Sequence, residues 1–288
     1  MARLVLGWGW VPLVSALAWF ATVLALLIIW LATGQPKYRG NEPDLIYISN
    51  VGAAYQWLFI LGAVVTSLFF ILTLILDRHL RYRDRLPSSK RTRARVDAIL
   101  AIIFGTTASA CLILLTIYDA WDHSTIHWAL TLGFMASLVL SAIFTVLQSR
   151  WLRKDHPDVK DLKRNFIVKM LVVLLSIALA LTMLGFMWVC SPLGPEAPEG
   201  EAAAESYQNS PTCNHRRSIS AGCEWAVAFL TAVYIATFIV DLVPAHQGSS
   251  QGVPQPGETV DDVDLEGNRR FGRGNRVAEM GTSNRTLV

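Results

Sequence analysis

Residues 55–76 read YQWLFILGAVVTSLFFILTLIL, and residues 77–97 follow as DRHLRYRDRLPSSKRTRARVD. The first stretch carries no charge, and at 1.5 Å per residue its length matches the roughly 30 Å of a bilayer's hydrocarbon core. In lipid only a helix can satisfy every backbone group of a lone segment, so the stretch predicts a membrane-spanning helix. The second stretch sets eight Lys and Arg against three acids directly after it, the pattern of a loop held on the cytoplasmic side.

Five other runs have the same character: Val11 to Thr33, Val96 to Tyr118, Thr125 to Gln148, Phe166 to Val189 and Cys223 to Val243. The first is about 23 residues long, beyond the 7–15 of a signal peptide's apolar region, and so reads as a retained span. Composition agrees, since 53% of the 288 residues are hydrophobic and 16% charged, with a mean hydropathy of +0.40. Such a chain is expected to be an all-α polytopic membrane protein, a six-helix bundle, and not a soluble domain.

Lys and Arg set the expected orientation. With the amino terminus inside, the cytoplasmic segments hold Arg3, eight from Arg78 to Arg95, seven from Arg150 to Lys169 and five in the tail, 21 in all. Lys37, Arg39, Arg216 and Arg217 are the 4 left outside. Both ends are therefore expected in the cytoplasm, with residues 1–245 as the membrane domain and 246–288 as a disordered Gly/Ser/Pro-rich tail. The sequon Asn284-Arg285-Thr286 falls in that tail and should stay unmodified. A net charge of +3, concentrated beside membrane spans, gives no reason to expect nucleic acid as a partner.

Trp8, Trp10, Trp121, Trp128, Trp151, Trp188 and Trp225 lie near span ends, as an interfacial aromatic belt would. Ala129, Gly133, Ser137, Ser141 and Thr145 form a small-residue stripe for helix packing in the fourth span, with shorter versions at Gly62/Thr66 and Gly105/Ser109. The charged residues Lys169, Glu224 and Asp241 sit close to span ends and read as snorkelling anchors. These features predict a compact bundle, not a wide channel.

The segment Ser191 to Gly222 is polar and reads as an outer loop. Cys190, Cys213 and Cys223 share that oxidising side, which leaves three single pairings open; Cys190 with Cys213 is preferred because Cys223 already belongs to the sixth span beside Glu224 and Trp225. Cys111 lies within a span.

The outer polar set comprises Asp119, Asp122, His123 and His127 around the short turn between spans three and four, with Glu224 at the sixth span. His123 and His127, at i and i+4, suggest a metal-dependent lipid hydrolase, which would need a third firm ligand and an open coordination position. A hydrogen-bonded interfacial cap is the simpler expectation. No phosphate loop, nucleophile elbow or CxxC pair is present, so neither enzymatic activity nor a cofactor or metal is expected. The basic loops have a more direct use: Arg78, Arg81, Arg83, Arg85, Lys90, Arg91, Arg93 and Arg95, with Arg150, Arg153 and Lys154, are candidates for contact with anionic lipid headgroups, which attract about 1 kcal/mol per basic residue.

Three blocks carry a resemblance: residues 46–53 (IYISNVGA), residues 118–123 (YDAWDH) with His127-Trp128, and residues 224–229 (EWAVAF). Together they resemble the Frag/DRAM/Sfk family, which includes the CWH-like N-terminal domain. The family's Ile-Ser-x-x-Gly is often followed by Pro-Glu, whereas Ala53-Ala54-Tyr55-Gln56 follows here, as in fungal Sfk-like members. The resemblance implies a non-enzymatic regulator of lipid organisation at the plasma membrane, working with a phosphatidylinositol 4-kinase complex. Other relatives imply GPI-lipid remodelling or autophagy at the lysosome or vacuole.

Overall fold

The computed structural model describes residues 8–40, 42–89, 91–156, 160–191, 194–196, 198 and 200–242. The helices are α1 (Trp10–Ala32), α2 (Ile48–Ala54), α3 (Gln56–Tyr82), α4 (Thr92–Ile117), α5 (Ser124–Asp155), α6 (Lys160–Val189), α7 (Glu201–Gln208) and α8 (Pro211–Leu242). Six of them, α1, α3, α4, α5, α6 and α8, are long and apolar enough to cross a membrane, and each covers one of the six spans read from the sequence, short of a single end residue in some. The proposed tail lies outside the described residues, as does Lys90.

The spans form a closed ring in the order α1, α3, α4, α5, α6, α8, with α8 returning to α1 and touching α3 across the middle. Small residues set the close approaches. A Cβ on Gly62 of α3 would land on Thr22 of α1, and one on Gly105 of α4 would collide with Leu74 of α3 and press on Ser141 of α5. Ser137, Ser141 and Thr145 are buried, and Ser141 Oγ donates to Ala101 O at 2.8 Å. The stripe therefore packs against neighbouring helices as expected, α4 at Ser141 and α8 at Thr145, except at its end, where Ala129 is exposed. The α5–α6 seam is the slimmest in the ring.

One end of the ring, here termed the basic end, carries residues 78–95 and 150–169. The opposite, or cap, end carries residues 33–55, 118–124 and 190–222. The polar segment at 191–222 is not a plain loop. It contains α7, and α8 starts at Pro211, so about 12 residues of helix, ~18 Å at 1.5 Å each, precede the apolar run. Hydropathy marks where a helix enters lipid, not where it begins. Cys190 and Cys213 are disulfide-bonded with Cα atoms 5.6 Å apart, tying the end of α6 to this extension.

The charged residues of the spans do not snorkel. Lys169 is 1% exposed and is paired inside the protein with Asp241, with its ammonium 4.0 Å from the centre of the Phe238 ring. Asn165 donates to the same carboxylate and to Thr237 O. Desolvating an ion costs several kcal/mol unless it is paired, and α6 and α8 together provide the pairing. Trp225 also departs from the belt: it is buried, with its indole N–H donating to Ile46 O at 3.0 Å.

Candidate functional site

Two polar surfaces close the two ends of the bundle. At the cap end, α2 is too short to be stable alone and is held from outside. The Ile48 N–H at its first turn donates to Glu224 Oε2 at 2.8 Å. Gly52 leaves no room for a side chain against Phe59 of α3. The preceding segment lies across α8: Asn214 bridges to Asp44 through backbone and side chain at 3.0 and 2.8 Å, and Ser218 Oγ accepts from the Leu45 N–H. Hydrogen bonds and ion pairing from Lys37, with a further bond from Asn214, hold the Asp44 carboxyl below its usual range.

The outer polar set divides in two. Asp119 makes a local turn in which its Oδ1 accepts the N–H groups of Trp121 and Asp122 at 2.7 and 2.8 Å. Burial opposes ionisation there, but those N–H bonds and the neighbouring His123 and His127 outweigh it and lower the Asp119 pKa. Asp122 pairs loosely with Arg39 at 3.4 Å, and Arg39 lies over the Trp121 ring. His123 packs its ring edge-on to Tyr118 at the surface. His127 instead turns inward, its Nδ1 2.9 Å from both Leu115 O and Tyr118 O. Two carbonyl partners require Nδ1 to carry a proton and donate it, which leaves Nε2 facing inward. Among the described residues no three His, Cys, Asp or Glu side chains converge as a metal would require. His127 and Glu224 do meet across a cavity of about 60 Å³, lined otherwise by residues such as Trp19, Phe59, Leu112 and Met135.

At the basic end the two charged loops are joined. Asp155, the last residue of α5, accepts from Ser89 Oγ at 2.6 Å and Arg91 Nε at 2.9 Å, and His156 approaches Ser88 O at 3.2 Å. Leu86, 1% exposed, packs with Leu80 and Leu242 and pins the first loop to the ring. Arg83, Arg85, Arg93, Arg95, Arg150 and Lys154 are left exposed on one side. Arg78 donates to Arg95 O, and Arg153 lies over the Phe166 ring at 4.5 Å.

Arg81 stands apart from the exposed basic residues. Its side chain, 11% exposed, is clamped by both oxygens of Asp77 and donates to Pro87 O at 2.9 Å. Gln148 of α5 completes the site by donating to Asp77. The i, i+4 spacing of Asp77 and Arg81 contains this signal, but the density of neighbouring Arg residues obscures it.

The fold is that of a multi-pass helical membrane protein with an organised cap at one end and a joined basic surface at the other. The chain belongs to the Frag1/DRAM/Sfk1/Cwh43P N-terminal domain family, whose sequence model matches residues 7–245. It is 28% identical over 234 residues to Protein sfk1 of Schizosaccharomyces pombe, covering 81% of this chain and 63% of that protein. The chain thus spans less than two thirds of that relative's length. No solved structure matches it.

Proposed function

We propose that the chain is a non-enzymatic scaffold that gathers anionic lipid at the cytoplasmic face of the plasma membrane and so supports phosphoinositide signalling. The carrying observation is the joined basic surface, where Asp155 ties the two loops together while Arg83, Arg85, Arg93, Arg95, Arg150 and Lys154 remain exposed. Each such charge contributes on the order of 1 kcal/mol at an anionic surface, and together they exceed what a topology signal requires. The charge count of 21 against 4 supports a cytoplasmic position for this surface and for both chain ends. Resemblance to Sfk-like proteins adds a phosphatidylinositol 4-kinase complex as the protein partner.

The test replaces Arg83, Arg85, Arg93 and Arg95 with Gln in the full chain. This leaves Arg81 and Arg91 in their structural bonds and enough charge to maintain orientation. Lipids co-purifying with each form are measured by mass spectrometry, and a tag on the tail is probed in intact cells. Enrichment of phosphatidylserine and phosphoinositides should fall, more steeply at low salt. Equal enrichment in both forms, or a tail accessible from outside, would overturn the reading.

A further inference from the structure

The cavity holding His127 and Glu224 does not end beneath the cap. Phe134 and Thr231 line it and also line two neighbouring spaces. The first is a groove of about 40 Å³ between α5, α6 and α8, where Met135, Val139, Val172 and Ser176 are half-exposed toward the outside of the ring. The second, of about 20 Å³, lies deeper against Thr66, Ser67 and Ser109. Thr66 Oγ1 is buried there with no hydrogen-bond partner. Phe134 and Thr231 therefore border all three spaces, from the α5–α6 seam to the cavity of Glu224 and His127.

From this geometry we infer a binding site for a neutral membrane lipid with a hydroxyl headgroup, of the diacylglycerol class: one acyl chain in the groove and the hydroxyl between His127 and Glu224. The groove is lined mainly by apolar side chains and lies within the spans, so hydrocarbon is what it meets. A narrow space of this kind takes a flexible chain in preference to fused rings. At the polar end, His127 presents its Nε2, because its Nδ1–H is already committed, and Glu224 presents a carboxyl group anchored through Ile48. No Lys or Arg lines the cavity, so a phosphate would meet a carboxyl with no cation to balance it. A hydroxyl fits between His127 and Glu224 because it carries one donor and two acceptor lone pairs and can serve both groups at once. The site is separate from the basic surface and stands or falls without it.

The test uses the full chain in nanodiscs of phosphatidylcholine, exposed to diacylglycerol with a photoactivatable group on one acyl chain. Labelled peptides are then mapped by mass spectrometry. Labelling should concentrate at residues 134–142 and 227–234 and be competed by unlabelled diacylglycerol but not by phosphatidylserine. Thr231→Phe, which fills the junction of the three spaces, should reduce the competed labelling about tenfold, a change expected when a shaped apolar site is blocked. Leu175→Trp adds similar bulk at an exposed position facing lipid and should leave it unchanged. Labelling spread evenly over lipid-facing positions, or competed equally by phosphatidylserine, would overturn the inference even if Thr231→Phe fails to fold.

Discussion

The buried ion pair of Lys169 and Asp241 is the most exacting test of the helix arrangement. Lys169→Met removes the ammonium and leaves the Asp241 carboxylate with Asn165, whose amide also reaches Thr237 O at 3.3 Å. Removing one partner of a buried pair typically costs about 3–5 kcal/mol, because the survivor stays desolvated. Replacing both, as Lys169→Met with Asp241→Leu, should recover most of that loss and leave about 1 kcal/mol for the acceptor Asn165 no longer has. With Cys111, the other free and half-buried thiol, replaced by Ala, the protein carries its own reporter, since Cys223 is a free, buried thiol that becomes reactive as the bundle opens. Thermal unfolding in detergent, followed by a thiol-reactive fluorophore, should rank wild type first, the double variant next and Lys169→Met clearly last. If Lys169→Met were as stable as wild type, the ammonium would reach water at the interface and the pairing would be wrong. If the double variant lost the sum of the two single losses, the residues would not interact.

Three other perturbations follow from the structure, each read with the same thiol assay. Gly62→Ala should destabilise by about 1–3 kcal/mol through overpacking on Thr22, whereas Gly185→Ala, with open space around it in α6, should stabilise by about 0.5–1 kcal/mol through helix propensity. Replacing Cys190 and Cys213 with Ser opens a loop of 23 residues and should cost about 3 kcal/mol by loop entropy. The lowered Asp119 pKa means that its turn stabilises the fold above the unfolded carboxyl value near 3.9 and ceases to do so as pH falls through the folded value. The stability difference between wild type and Asp119→Asn should therefore be constant from pH 8 to about pH 5 and shrink below about pH 4; a difference independent of pH would show that the carboxylate charge plays no part.

The spans were readable because lipid demands twenty apolar residues in a row, a property local to the chain. What lipid does not determine was not readable. The α8 extension from Pro211 is polar, so no hydropathy window marks it, and α2 is only 7 residues long and derives its stability from contacts elsewhere. The partners of Lys169 depended on the rotation of α6 about its axis, which apolar runs on all sides leave open. A hint was available in Asn165 and Lys169, which share one face at i and i+4 at the same end as Asp241, the last span's acid. Such a pairing across 72 residues, however, rests on the ring order.

The headgroup residues show the same limit from the other side. Counting Arg and Lys located the basic loops and grouped Arg81 and Arg91 with the headgroup contacts, whereas Asp77 encloses Arg81 and Asp155 holds Arg91 at the surface. The acids scattered through a basic loop are where such exceptions arise, because a carboxylate among guanidinium groups acquires a geometric partner before it acquires solvent.

The three short blocks can now be read as contacts. Block 46–53 supplies the N–H of Ile48 and the carbonyl of Ile46, and block 224–229 supplies the Glu224 carboxyl and Trp225 indole that meet them at 2.8 and 3.0 Å. Block 118–123 makes the Asp119 turn, and His127 beyond it faces Glu224 across the cavity. Each block is brief because it forms one side of an interface whose other side lies far along the chain. Their convergence at the cap end, and not at the basic end, has a physical consequence. Charge on a flexible loop can attract headgroups from many sequences, since screening and exposure leave the geometry loose. The His127 and Glu224 side chains under the cap tolerate few substitutions, since each polar group left unpaired away from water costs its desolvation. The two ends thus meet different demands, loose electrostatics at the basic surface and strict hydrogen bonding under the cap, and a variant that disables one should leave the other intact.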